Sequence, residues 1–519
     1  MPPDIGADAV LTRRRLDAAG WCVCATMLAA TLAFSFHLVS FLHAKEAILA
    51  AGTVVLAAVQ ISSQHNKRIE RALSWPLWGI LAVIALLGFV VNTAVRAYVV
   101  EDAVRWAALF LFATLAWPVL SSPLWRNRIL GTIACSGALV AVLALLQYAG
   151  RLDWLLPPFP HYDQRAYSVF GNQDLLGGFC ALALPPTLLP GKRRSAWPVQ
   201  ALAALALVGA LIVSGSRSAW LAAAFGILLF AFLETRGRIR RLPMLLGSAA
   251  LLGVFILALL TSPTTRERLA GTFSAQDIGG RARLWFWDGT LRMVADHPIA
   301  GVGLGNYRYR SPRYLGEVLN APGGEQHYHN RLHTMHAHSE PLEWLAETGL
   351  IGAGLLAWVA ACFARRRCMT APTATDPAAW AGLAALVTFS CFNAALHSAP
   401  HALAGLLFLG CLIVRQEDPA EHTPSPLMQR RPLPFVAAVA IAGLFVWTTL
   451  LPSALRCAAE DAHVRGIDPL PHYAQAAAYP WPQYDLYEVQ GIALLEAGQP
   501  ENAYKALVRA SKGLDTGRL

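Results

Sequence analysis

Long apolar segments separated by short polar connections dominate the chain. Apolar runs of about 17 to 22 residues, long enough to cross a bilayer core of roughly 30 Å, recur along the chain to about residue 452. We count about thirteen such runs. Their approximate bounds are 19–40, 46–63, 74–93, 103–121, 129–148, 173–190, 197–213, 217–233, 243–261, 341–363, 378–396, 401–415 and 434–452. This pattern predicts an all-α fold, a polytopic transmembrane helical bundle with about 12–13 spans.

Composition agrees with this prediction. Of the 519 residues, 55% are hydrophobic and 14% are charged, which excludes an ordinary water-soluble protein. The first apolar run follows three arginines, as in a signal peptide, but it is long and lacks a small-residue cleavage site, so we interpret it as an uncleaved anchor. Most of the nine cysteines lie in or beside apolar runs, so neither a disulfide framework nor a cysteine-based zinc site is indicated.

The distribution of basic residues predicts the orientation in the membrane. Clusters of Lys and Arg occupy every second loop, and such loops are retained on the cytoplasmic side. The clusters lie at residues 13–15, 67–71, 126–128, 192–194, 236–241, 365–367 and 415–431. The intervening loops then face the opposite side. The net charge of +10 largely reflects this topogenic signal, so it does not indicate a nucleic-acid partner.

The chain divides into a membrane domain and a soluble tail. The membrane domain covers residues 1–452 and contains a non-cytoplasmic loop, residues 262–340, that is too long for a simple connector. The tail, residues 453–519, ends in two amphipathic helices with Gly498, Gln499 and Pro500 at the turn, and this resembles one tetratricopeptide-type hairpin. Because a solenoid needs about three repeats, the hairpin is expected to cap the domain or to dock on a protein partner.

The first candidate for chemistry is SGSRSAW, where Arg217 lies at the junction of two apolar runs. An arginine at bilayer depth is costly unless it faces a partner or a wet cavity, so it indicates a functional site. The serines on both sides and the positive-inside rule favour this interpretation. The alternative is an interfacial arginine whose side chain extends to lipid headgroups.

The second candidate is IGGRARLWFWDGTLRMVADHPIAGVGLGNYRYR, within the long loop. Arg281, Arg283 and Arg292 share a helix-like stretch with Trp285 and Trp287. Guanidinium groups suit phosphate oxygens, and tryptophans suit a headgroup interface or a sugar face. GVGLGN has no βαβ context and is interpreted as a turn rather than a dinucleotide site. The alternative is an amphipathic helix that lies on anionic lipids.

The third candidate is QHYHNRLHTMHAHSEPLEWLAETGLIGAG, which begins at Gln326. Its five histidines are His327, His329, His333, His336 and His338. Pro341 suits the first turn of a helix, Glu343 and Glu347 then share one face, and His338 directly precedes that helix. A zinc site, ordinary solvated histidines and a metal-free general base are the alternatives. The H-E-x-x-H spacing is absent, and the metal-free base is the leading interpretation.

Together these motifs resemble the O-antigen ligase superfamily of bacterial inner-membrane proteins. The ordered set is SVFGNQDLLGG, SGSRSAWLA, R-x-R-x-x-x-W followed by DHPIAGVGLGNY, and HAHSEPLEWLAETGLIGAG, and it covers roughly residues 130–415. The superfamily contains O-antigen ligases, Wzy-type polymerases and O-linked protein oligosaccharyltransferases. Ser339 stands where the family usually has Asn. HSAP, from His397 to Pro400, is similar to an H-S motif of the protein-glycosylating branch, but the E-Y-P-L continuation is missing.

The resemblance implies an inner-membrane glycosyltransferase whose long loop and C-terminus are periplasmic, surrounded by membrane lipids. Its donor is expected to be an undecaprenyl-pyrophosphate-linked glycan, and its acceptor a lipid A-core, a growing glycan or a protein. His338 is expected to be the catalytic base, and Arg217 to act catalytically by neutralising the pyrophosphate. The residues expected to bind substrate are Arg281, Arg283, Arg292, His336 and Glu347. No metal and no cofactor are expected.

Other functions remain open at this stage. The chain resembles the protein oligosaccharyltransferases of the same superfamily, and a lipid-glycan transporter would also need intramembrane arginines. A transporter is expected to show paired inverted repeats, and the sequence shows no such symmetry. A scaffold protein acting through the tail would leave Arg217 and the histidine loop without a purpose.

Overall fold

A computed structural model describes residues 5–61, 67–91, 95–157, 165–189, 197–235, 253, 256, 278–324, 334–416, 432–513 and 515. Every regular element in these ranges is helical, and they contain no strand. The predicted all-α fold is confirmed. His327, His329 and His333 of the histidine stretch lie outside the described residues.

The first eight helices are α1 (Ile5–Leu32), α2 (Phe41–Gln60), α3 (Lys67–Val91), α4 (Arg96–Ala116), α5 (Pro123–Tyr148), α6 (Gln173–Thr187), α7 (Trp197–Ser214) and α8 (Arg217–Thr235). The next five are α9 (Ile278–Asp296), α10 (Tyr307–Leu319), α11 (Glu340–Cys368), α12 (Asp376–Ser390) and α13 (Ala399–Ile413). The last five are α14 (Leu433–Phe445), α15 (Leu451–Val464), α16 (Leu470–Ala477), α17 (Tyr484–Glu496) and α18 (Pro500–Ser511). Short 3₁₀ turns cover Trp117–Ser121, Ser168–Phe170 and Ala395–His397, and a π-helical turn, Val446–Leu450, joins α14 to α15.

Within the described ranges, eight helices are long and apolar enough to cross a membrane. They are α2, the Ser74–Val91 part of α3, α4 with its 3₁₀ extension, α5, α7, α8, α11, and α14 continued through α15. Each overlaps a predicted span, and the last continues to Val464, beyond the predicted end at residue 452. The predicted span 243–261 lies outside the described residues apart from Gly253 and Ile256.

The other predicted spans are helical but differ in length. The first ends at Leu32 rather than near residue 40, because the chain turns where Ser35 Oγ accepts a hydrogen bond from His37 N. The spans 173–190, 378–396 and 401–415 correspond to α6, α12 and α13, each of 15 residues. These three helices are too short to satisfy the length of a membrane span on their own.

Helix α6 is enclosed by the bundle. It packs against α5, α7, α8 and α12, and all its side chains from Leu176 to Thr187 are buried. The close approach of α6 to α12 depends on Gly178, since a Cβ added there would lie 2.2 Å from Phe389 Cε1. A helix that is surrounded by protein need not match the bilayer thickness, which accounts for its short length.

Helix α11 is interrupted at Gly349, whose φ is 60° and ψ is −158°. The GVGLGN segment docks on this break: Leu350 N donates to Pro298 O at 2.8 Å, and Gly303 N donates to Glu347 O at 2.8 Å. The predicted turn in GVGLGN is thus confirmed. The break fixes the end of α9 against the beginning of α11, which carries Glu340, Glu343 and Glu347 and directly follows the histidine stretch.

The C-terminal helices α15 to α18 pack on the rest of the chain. Trp481 Nε1 donates to Glu101 Oε1 of α4 at 2.9 Å, and Asp515 N donates to Tyr309 O at 2.7 Å. Arg310 of α10 also pairs with the Asp515 carboxylate. The two predicted amphipathic helices are present as α17 and α18. The tail therefore packs directly on the described part of the long loop.

Candidate functional site

A polar network joins four segments that are far apart in the sequence. Arg283 Nη2, on α9, donates to Asp174 Oδ2 at 3.0 Å and to Asn393 Oδ1 at 3.3 Å. Asn393 Nδ2 in turn donates to Ser218 Oγ at 2.8 Å. The network therefore links the beginnings of α6 and α8, the long loop, and the segment after α12.

Helix beginnings position the polar groups of this network. Asn172 caps α6, because its Oδ1 accepts from Asp174 N at 2.8 Å and Leu175 N at 3.1 Å. The cap places Asp174 in the first turn, where a carboxylate is stabilised by the helix dipole. Arg217 is the first residue of α8 and lies between Ser216 and Ser218, whose hydroxyl oxygens are 3.3 Å apart. Because Ser218 belongs to the network, Arg217 lies at the same end of the bundle as Asp174 and Arg283.

His338 lies beside this network in an uncommon backbone conformation. Its φ is 51°, in the left-handed region that few residues other than glycine adopt, and its ring stacks on Phe286 with centroids 5.7 Å apart. Burial, together with the smaller effects of Arg283 and His336, lowers the pKa of His338 to about 4, while Asp174 opposes this shift. The imidazole is therefore neutral at pH 7 and able to accept a proton, although its pKa lies below the near-neutral value at which a general base is most effective.

A second cluster, formed by His336, Glu340, Glu343 and His397, adjoins His338. His336 Nδ1 lies 2.9 Å from Glu343 Oε1, and His397 Nε2 lies 3.5 Å from the same oxygen. The other Glu343 oxygen accepts from Ala337 N at 2.8 Å. Burial lowers the pKa of His336 to about 4 and that of His397 well below its ordinary value. Both imidazoles are therefore neutral at pH 7.

The residues of this cluster that could hold a metal ion are His336, Glu343 and His397. One donor atom from each lies within 4.8 Å of the others. Two imidazoles and one carboxylate form a common ligand set for zinc, and Glu340 Oε1 lies 3.3 Å from His397 Nδ1, where it would orient that ring. The geometry fits a cation, and the absence of a metal from the reaction stays a prediction.

The other predicted site residues are distributed more widely. Arg281 and Arg283 are roughly 200° apart around α9, so their side chains leave different faces of the helix. Arg292 pairs with Asp288 at 3.3 Å on the same helix. Glu347 is buried, and its Oε1 accepts from Tyr307 N at 3.1 Å, which anchors the turn before α10. The substrate-binding roles of these residues stay predictions.

Sequence reasoning did not select Asp174, Asn393 and His397 as site residues. Asp174 lies in SVFGNQD and His397 in HSAP, so both motifs contained a signal. Asn393 has no local signal, because its role arises from contacts with residues more than 100 positions away. Sequence reasoning also did not select Asp102 and Arg105 as site residues, although ionisable residues within an apolar span indicate a functional site.

A cavity of about 440 Å³ opens beside the second cluster. His336, Glu343 and His397 line one part of it. Side chains from α2, α4 and the tail line the rest. The cluster is therefore accessible from this space.

Residues 202–359 match a family model described as O-Antigen ligase. The resemblance to the O-antigen ligase superfamily is confirmed. The region matching the O-antigen ligase model contains Arg217, Arg283, His336, His338 and Glu343, whereas Asp174, Asn393 and His397 lie outside it. No curated protein gives a significant match to the chain. The apolar helices and the match together support a multi-pass membrane protein that is similar, over residues 202–359, to the O-antigen ligase family.

Proposed function

We propose that the protein is a bacterial inner-membrane glycosyltransferase that moves a glycan from an undecaprenyl-pyrophosphate carrier to an acceptor hydroxyl on the periplasmic side. The observation that carries this proposal is the position of His338 beside the Arg283–Asp174 pair. A neutral imidazole next to a guanidinium group provides a base and a site for an anionic leaving group in one place.

In the proposed step, the acceptor hydroxyl attacks the anomeric carbon of the glycan. His338 takes the hydroxyl proton, the new glycosidic C–O bond forms, and the bond between the anomeric carbon and the pyrophosphate oxygen breaks. The electron pair of that bond leaves with polyprenyl pyrophosphate. The proton on His338 later passes to solvent, which restores the neutral imidazole.

Arg283 has a hydrogen-bond donor to offer the leaving group. Its Nε is buried and has no hydrogen-bond partner among the described residues, although Nη2 donates to Asp174 and Asn393. A phosphate oxygen would satisfy this donor, and charge-assisted hydrogen bonds of this kind strengthen as negative charge develops. Arg217 and Arg281 are proposed to add positive charge at the same site.

Glycan release from the carrier distinguishes this proposal from transport. The test uses purified protein in liposomes with a polyprenyl-pyrophosphate oligosaccharide, with acceptor glycan present or absent and with or without a strong chelator. We expect polyprenyl pyrophosphate and extended acceptor to form together, and the chelator to leave the rate unchanged because arginines supply the positive charge. Movement of intact donor across the bilayer without cleavage would indicate a transporter, and loss of activity with chelator would assign a catalytic role to a metal.

A further inference from the structure

The cavity of about 440 Å³ has a composition that suits the acceptor rather than the donor. Among the described residues that line it, six side chains carry carboxyl groups, while the guanidinium groups are those of Arg105, Arg308 and Arg456. Because the carboxyl groups outnumber the guanidinium groups, the cavity offers no excess positive charge to hold a pyrophosphate or another strong anion. Met335 and His336, which lie just before the proposed base in the sequence, line the cavity, so an acceptor bound there would lie on the side of the second cluster, away from Arg283.

Arg105 leaves hydrogen-bonding capacity unused within the cavity wall. Its side chain is only 11% exposed, and Nη2 lies 3.3 Å from Asp102 Oδ1. Arg105 Nε is buried and has no hydrogen-bond partner among the described residues. A buried donor without an acceptor is costly, and the hydroxyl oxygen of a bound sugar would relieve that cost.

The soluble tail forms one wall of the same cavity. Residues Trp481 to Leu486 line it next to α4, and the Trp481 indole is fixed by its hydrogen bond to Glu101 of α4 at 2.9 Å. The ring of Tyr484 packs edge-on against Tyr98, with centroids 5.6 Å apart. Aromatic rings cover the C–H faces of sugars, and neighbouring carboxylates accept hydrogen bonds from paired hydroxyls. A cavity of this size is typical of a small-molecule or oligosaccharide site.

We propose that the tail segment Trp481–Leu486 is part of the acceptor-binding site and that the acceptor is an uncharged oligosaccharide. This inference rests on the proposed glycosyl transfer. It assigns to the tail a direct role in substrate selection, in which Trp481 contacts the acceptor sugar. It also disfavours acceptors that carry phosphate groups near the reacting hydroxyl.

The test measures steady-state transfer to a neutral oligosaccharide while the acceptor and donor concentrations are varied separately. We expect Trp481→Ala to raise the acceptor KM about tenfold, the effect of losing one well-packed aromatic contact, and to leave the donor KM unchanged. Trp481→Phe keeps a ring and should recover most of the acceptor affinity. Tyr504→Ala is the matched control, because Tyr504 lies on the same tail, is 71% exposed and does not line the cavity.

Two further outcomes decide the chemical class of the acceptor. The same oligosaccharide bearing a phosphate group should be used at least about tenfold less efficiently, because the cavity offers no excess positive charge to hold the phosphate. Equal or better use of the phosphorylated acceptor, efficient use of a protein hydroxyl instead, or an unchanged acceptor KM in Trp481→Ala would overturn this inference. In each of these cases donor turnover persists, whereas a wild-type protein that cleaves no donor with any acceptor would refute the proposed function itself.

Discussion

At the scale of single residues, His338 depends most on its surroundings. A left-handed backbone conformation costs of order 1 kcal/mol or more in a residue other than glycine, so it persists only where neighbouring contacts impose it. Phe286 supports one face of the ring. Burial and Arg283 keep the imidazole neutral. These features suit the proposed role of His338 as a proton acceptor beside the leaving group.

The low pKa of His338 predicts an unusual pH dependence of kcat/KM. An ordinary histidine base becomes protonated, and so inactive, as the pH falls through about 6.5. The pKa of His338 is lowered to about 4, so we expect kcat/KM to stay level through that range and to decrease only toward pH 4. Initial rates at low donor concentration between pH 4 and 8 would check this. A decrease centred near the ordinary histidine pKa would contradict the described environment of His338.

Arg283→Lys should lower the transfer rate by about 10²- to 10³-fold, the usual effect of removing one donor to a developing negative charge. An ammonium group cannot contact Asp174, Asn393 and a phosphate oxygen in the planar arrangement of guanidinium. Arg313→Lys is the control, since Arg313 pairs with Glu317 on the partly exposed helix α10. If Arg283→Lys and the control had equal turnover, the assignment of Arg283 to the leaving-group site would be contradicted.

Sequence reasoning identified the residue types of the site but not their partners. Arg283 and His338 could be selected because an arginine or histidine near an apolar run is uncommon and has a chemical meaning. Asn393 could not, because its amide connects Arg283 to Ser218 only after the chain has folded. Contacts between distant positions leave no periodic pattern in the local sequence.

At the scale of secondary-structure elements, the break in α11 determines how the long loop is held. Gly349 adopts a positive φ, and the backbone of residues 298–303 supplies hydrogen bonds at the interruption. Apolar periodicity alone predicts one continuous span here. The interruption depends on the docked GVGLGN turn, so it could not be predicted from the span itself.

Gly349→Ala should destabilise the protein by about 1–3 kcal/mol and impair transfer, because a non-glycine residue in this conformation is strained. Its Cβ would also lie 2.4 Å from Ile299 O. Gly354→Ala, on the same helix, has nothing within 4 Å of the added Cβ and should be neutral or slightly stabilising. Thermal unfolding in detergent and the transfer rate would be measured for both. Equal stability of the two variants would show that the break does not constrain the loop.

At the scale of the whole molecule, the tail packs against the long loop and against α4. Asp515 contacts Tyr309 and Arg310, and Trp481 contacts Glu101, so the tail completes the cavity next to the proposed base. Sequence patterning predicted the all-α class, the positions of eight long spans and the two tail helices. It left open where the hairpin docks, because the contacting surfaces come from separate parts of the chain.

The predicted orientation of the protein in the membrane can be tested by cysteine labelling. In a variant with the native cysteines replaced, a membrane-impermeant thiol reagent should label Tyr504→Cys and Ile299→Cys from the periplasm but not Met369→Cys. All three positions are well exposed, and Met369 follows the basic run Arg365–Arg367, which is predicted to be cytoplasmic. Labelling of Met369→Cys instead of the other two would show that the topology is the reverse of the predicted one. The proposed site would then face the cytoplasm.

Transfer by His338→Ala, compared with wild type and with His463→Ala, tests the catalytic proposal most directly. His463 lies on the exposed surface of the tail and serves as the matched control. The measurement is the initial rate of polyprenyl-pyrophosphate release coupled to acceptor extension, at equal amounts of folded protein. We predict that His338→Ala is about 10²- to 10⁴-fold slower and that His463→Ala keeps the wild-type rate. A wild-type rate in His338→Ala would contradict the assignment of the base.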